Sequence, residues 1–224
     1  MVRAGMLLAI GFYIAPNPNS GLPLWQEVPL TILGFGIAFW LIFGVFALIK
    51  LPGERRLRRR VEAVEAAAGD SPVYGPPVVY AAGARLFGEV QAAWAAADRE
   101  LLRRISDPDL MSDWTKRMDG YAADGSRYRV EVLKGPRLDY VGLLADRGRV
   151  RRRVRAKVRR ALELSNGKRR ALPEDKGRQK VAFDEYWTLS RSGGEWILWS
   201  TRNASFRAEY STEPIVPEAA AHPV

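Results

Sequence analysis

From Pro29 to Ile49 the chain carries no charged residue and is almost entirely apolar. At about 1.5 Å of rise per helical residue, such a run crosses the roughly 30 Å hydrocarbon layer of a bilayer. A soluble domain has little use for a helix that is apolar on every face. The run therefore predicts a transmembrane helix over 29–49, and Gly34, Gly36 and Gly44 are compatible with one. No basic residue lies between Arg3 and Lys50, whereas Lys50, Arg55, Arg56, Arg58, Arg59 and Arg60 follow at once. Positive charge stays on the cytoplasmic side. The expected topology in the cell membrane thus has 16–28 outside, with Trp25 at the interface, and the chain from 50 onward inside. Arg3 followed by Ala4 to Ala15 reads either as a signal peptide or as a short first membrane helix.

Composition narrows the chemistry. The chain has no cysteine, so thiolate nucleophiles, disulfides and thiolate metal sites are excluded. Its one histidine, His222, lies in an Ala/Pro-rich tail, which argues against histidine-based catalysis or metal binding. No catalytic residue, metal or cofactor is expected. A net charge of +10 favours anionic partners.

Beyond the membrane segment, Leu57, Val61, Val64 and Ala68 recur at helical spacing, giving a basic juxtamembrane helix over 50–68. Gly69 to Pro77 reads as a hinge. A helix opening at Pro77 or Val78 carries Leu86, Val90, Ala93 and Trp94 on one face. Asp98 caps a short second helix, and Asp107-Pro108 starts a third with Leu110, Trp114 and Met118. From residue 127 the period becomes two. Tyr128 to Val132, Leu138 to Leu144, Val150 to Leu164, Phe183 to Leu189 and Trp196 to Arg202 read as strands. Ser192-Gly193-Gly194 reads as a hairpin turn, and Asn166 to Lys180 as a polar basic loop. Helices followed by an antiparallel meander define an α+β class. The residues from 208 to 224 read as a disordered tail.

Two stretches carry a family resemblance. The helical pattern Phe87, Gln91, Trp94, Asp98, Leu102 and Arg103, and the strand pair Asp184-Glu185-Tyr186-Trp187-Thr188-Leu189 and Trp196-Ile197-Leu198, resemble the Tim-forty-four-like domain family. The resemblance covers roughly 78–207. It implies a cone-like α+β domain in which about three helices pack on a curved antiparallel sheet and leave a cavity between them. Trp94, Trp114, Trp187 and Trp196 are then expected to line or fill the cone. Glu185, on the same strand face as Trp187, is expected to point into it, either as a carboxylate of raised pKa or paired with Arg152 or Arg160.

Two basic features complete the reading. Arg55, Arg56, Arg58, Arg59 and Arg60 sit where anionic headgroups attract cations, at about 1 kcal/mol each. Arg149, Arg151, Arg153, Arg155, Lys157 and Arg159 share one strand face with no acid between them in sequence, and basic residues of the following loop extend the field. Such a strip invites phosphate from a membrane or ribosomal RNA, without sequence-specific nucleic-acid reading. The expectation that unites these features is a membrane-anchored adaptor. Its domain would dock on anionic lipid and on a protein or ribosomal partner, in protein translocation or membrane biogenesis. A small-molecule-binding or enzymatic cone, and a structural subunit of a transport or secretion assembly, are the alternatives.

Overall fold

A computed structural model describes residues 53–217. The expected signal or first helix over 1–15, the external segment, the transmembrane run and the residues beyond 217 lie outside them. Among the described residues no helix is long and apolar enough to cross a membrane.

Helix α1 runs over 53–68, and from Arg56 onward it belongs to the same compact unit as the rest of the described chain. Helix α2 follows at Pro76–Ala96, α3 at Arg99–Ile105 and α4 at Pro108–Ala123. The starts of α3 and α4 are set locally. The Asp98 carboxylate accepts from the Leu101 N–H at 2.9 Å, and Asp107 accepts from the Asp109 N–H at 3.0 Å with Pro108 at the first helical position. Strands β1 (Ser126–Leu144), β2 (Arg149–Leu164), the short β3 (Arg169–Arg170), β4 (Lys180–Ser192) and β5 (Glu195–Asn203) form one antiparallel sheet. Its order is β1-β2-β4-β5, with β3 pairing on β2. Gly193 and Gly194, both at positive φ, close the β4–β5 hairpin as expected. A last helix, α5, spans Arg207–Thr212. The α+β class holds.

The sheet has two differently used faces. On one, Val150, Val154, Ala156 and Val158 of β2 and Trp187 and Leu189 of β4 meet Val79, Leu86, Phe87 and Val90 of α2 in the main core. Each fully buried large aliphatic side chain there contributes about 1.5–3 kcal/mol. On the other, Val141, Tyr186 and Tyr210 close over Leu57 in a smaller cluster.

Four expectations about organisation are revised. The two strands expected over 128–144 are one: β1 runs through Gly135 without turning back, because β2 is long enough to pair with both halves. The irregularity is absorbed by register shifts between Val132 and Arg137. There Gly135, at φ 113°, lets the backbones approach so closely that a Cβ would lie 3.1 Å from Ala156. The expected hinge at 69–77 is an ordered turn. The Ser71 hydroxyl accepts from the Tyr74 N–H, Tyr74 is buried, and its carbonyl accepts from the Tyr140 hydroxyl at 3.2 Å. Helix α1 is accordingly docked on the domain through Val64 and Ala68 rather than standing off as a stem. The expected tail is ordered as far as 217. Tyr210 is buried, Glu213 pairs with Arg151, and Val216 exchanges backbone hydrogen bonds with Leu143 and Ala145.

Candidate functional site

Between α2, α4 and the sheet lies a cleft of about 90 Å³, room for several waters or a ligand of a few heavy atoms. Val90, Gln91 and Trp94 reach it from α2, Trp114, Arg117 and Tyr121 from α4, Tyr128 from β1 and Arg160 from β2. Phe183, Glu185 and Trp187 of β4 and Thr201 of β5 form its floor, with Leu172 and Glu174 of the β3–β4 connection at one side. The walls are aromatic and mutually braced. Trp94 meets Trp114 edge-on at 5.7 Å and Tyr128 at 5.4 Å between ring centroids, and Phe87 lies 5.8 Å from Trp187. Burial pushes the Tyr128 phenol up to about 12.

Alternation along β4 puts Glu185 on the same face as Trp187, and the Trp187 Nε1–H donates to its carboxylate at 2.9 Å. Burial raises the Glu185 pKa, while that hydrogen bond and the Arg160 charge pull the other way. The arginines expected to neutralise it are engaged elsewhere. Arg160 makes a two-pronged pair with Asp175, at 2.7 and 2.6 Å. Burial works against its charge, but the bond to Asp175 outweighs this and raises its pKa. Arg152 is fully buried, its guanidinium 3.7 Å from the centre of the Tyr80 ring and 5.3 Å from that of Tyr140. Among the described residues no ion pair involves Glu185.

Of the tryptophans expected at the cavity, Trp94, Trp114 and Trp187 line it and Trp196 does not. Trp196 packs edge-on against Tyr74, 6.0 Å away, because it sits near the hairpin turn, on the part of β5 furthest along from Thr201. Tyr121, Tyr128 and the Arg160–Asp175 pair escape a reading of the sequence. Leu172, an apolar residue inside a polar stretch and 2% exposed, was the available signal that the 166–180 loop folds inward. Among the described residues there is no cluster of three or more carboxylate or imidazole groups suited to a metal ion.

The basic row of β2 shares one face, as alternation requires, yet it is far from a free strip. Its acids come from neighbouring strands. Arg153 makes a two-pronged pair with Asp184 of β4, Arg155 pairs with Asp139 of β1 at 2.6 Å, and Arg159 pairs with Glu131 of β1. Arg151 pairs with Glu213 and stacks 4.1 Å from the Tyr210 ring, while Arg149 lies 3.6 Å over Trp199. Arg153 is buried, and Lys157 is the exposed member of the row. On α1, Arg55, Arg56, Arg58 and Arg59 are exposed. Arg60 is turned into the domain, its Nε–H donating to the Val141 carbonyl at 2.9 Å, and burial lowers its pKa.

No protein-family model matches the chain, and no curated protein matches it. Among solved structures, the intermembrane space region of the chloroplast protein ARC6 aligns at 16% identity, covering 54% of this chain and 92% of that one, with a TM-score of 0.41. An uncharacterised cystatin-like-fold protein from Caulobacter vibrioides aligns at 13% identity over 58% and 94% of the two chains, TM-score 0.36. A SEC-C motif protein from Rhodopseudomonas palustris aligns at 16% identity over 53% and 76%, TM-score 0.31.

Proposed function

We propose that this protein is a membrane-tethered binding module of the Tim-forty-four-like kind. The run 29–49 anchors it, and the domain from Arg56 onward works at the cytoplasmic leaflet on a protein or ribosomal partner. The observation that carries the reading is the direct succession of an uncharged run by Arg56, Arg58 and Arg59, which are exposed on a helix whose opposite face is docked through Leu57 and Val64. With the helix docked, those arginines hold a fixed place on the domain surface. Each would gain about 1 kcal/mol beside anionic headgroups. The β2 row supports docking less than its sequence suggests, since four of its six cations pair with acids of β1, β4 or the segment after α5.

Reporter fusions after residue 20 and after residue 70 test the topology. The reading expects opposite sides, with residue 70 inside. A reporter at residue 70 that is active outside the membrane overturns it.

A further inference from the structure

We infer that the cleft between α2, α4 and the sheet binds a small organic cation, an alkylammonium head, with Glu185 as its counter-charge and the faces of Trp94, Trp114, Trp187 and Tyr128 as its walls. This does not rest on the membrane reading.

The cleft stays open although its walls are braced ring against ring, so space is kept where close-packing would otherwise remove it. Six of its fourteen lining residues are aromatic. The electron-rich face of an indole or phenol attracts a cation, and most strongly where water is excluded. Of the two carboxylates lining the cleft, Glu174 is exposed, and Glu185 takes a hydrogen bond from the Trp187 indole but makes no ion pair among the described residues. The Arg160 and Arg117 charges act on it without forming an ion pair, and burial outweighs them and disfavours its charge. A bound ammonium supplies an ion-pair partner.

An anion fits less well. Arg160 already has a carboxylate partner, Asp175, in a two-pronged pair. Arg117 and Glu174, both exposed, bring opposite charges to the rim. The polar groups left inside, Gln91 and Thr201, are neutral. With about 90 Å³ available, the site takes the head of a ligand rather than a large cofactor.

The test uses the full chain in a neutral detergent, with tryptophan fluorescence reporting from the walls. Tetramethylammonium is the probe, tert-butanol its neutral counterpart of similar shape, and acetate the anion. Saturable quenching by tetramethylammonium alone is expected, weakened about tenfold or more in Glu185→Gln, whose melting transition is checked in parallel. The wild-type affinity is expected to fall on acidification, because protonating Glu185 removes the counter-charge. The titratable groups around Glu185 are Arg160 from β2, Arg117 and Tyr121 from α4, Tyr128 from β1 and Glu174 from the β3–β4 connection, while the adjoining Asp184 acts on it from the opposite face of β4, where it pairs with Arg153. A pH profile in Glu185→Gln separates their contribution. Because the profile is also read on the wild type, failure of the variant to fold does not rescue the proposal. Equal quenching by tert-butanol, saturable binding of acetate, or wild-type affinity in a folded Glu185→Gln overturns it.

Discussion

Replacing Arg152 by methionine is expected to leave the protein slightly more stable, by about 1 kcal/mol at neutral pH. The guanidinium is wholly buried and its three nitrogens find no hydrogen-bond acceptor. Burial, the main cause, lowers its pKa from the ordinary arginine value to about 10. At about 1.4 kcal/mol per pH unit, a displacement of that size costs the folded state roughly 3 kcal/mol while the group is charged. Stacking over Tyr80 returns about 2 kcal/mol, the scale of a desolvated cation–π contact. Methionine fills a similar volume without a charge, so the difference remains as a net gain. Arg152→Ala is expected to fall about 2–5 kcal/mol below the methionine variant, because it opens a cavity under Gly83. Urea titration followed by near-ultraviolet circular dichroism measures both. The pH dependence has a defined sign. A cation whose folded pKa is depressed carries its full penalty below about pH 10, and the penalty lifts as pH rises from there toward the ordinary arginine value. The advantage of Arg152→Met should therefore shrink in that alkaline window. A methionine variant less stable than wild type by more than about 2 kcal/mol would refute the reasoning, since the guanidinium would then have to hold a partner that repays its burial.

Two further perturbations follow from the packing. Trp187→Ala and Trp94→Ala, each removing a buried braced ring, are expected to cost about 3–5 kcal/mol in the same urea titration, and a loss below 1 kcal/mol would show that the cleft walls bear no load. Arg153→Gln is expected to destabilise by about 3 kcal/mol because it strands Asp184, and pairing it with Asp184→Asn should recover more than half of the loss in a double-mutant cycle. The alternation of the row taken alone implies that glutamine at Arg151, Arg153, Arg155 and Lys157 leaves the fold intact, and the ion pairs across β1, β2 and β4 reverse that expectation.

What the sequence by itself determined about this protein is what short-range physics controls. The α3 and α4 starts at Asp98 and Asp107-Pro108, the Gly193-Gly194 hairpin and the apolar faces through Leu86, Val90 and Trp187 each depend on residues a few positions apart. Hydrogen-bond geometry and side-chain periodicity act at that range. That Glu185 and Trp187 share a strand face was legible for the same reason, whereas a cavity lined by Trp94, Trp114 and Trp187 was implied by the family resemblance. Tertiary structure alone decided who meets whom. The β2 arginines look unaccompanied along the chain, and only the register of β1 and β4 sets Glu131, Asp139 and Asp184 beside them. Along the chain 69–77 reads as a hinge and 208–224 as a disordered tail, yet Tyr74 and Tyr210 bury themselves in contacts far away in sequence. Along β2, Arg152 lies two residues and Arg160 six residues from Val154, which sits opposite Glu185, and the Tyr80 ring and Asp175 claim them first. A buried charge is satisfied by whatever the fold brings within about 3 Å, and that distance is set by packing and sheet register rather than by spacing along the chain.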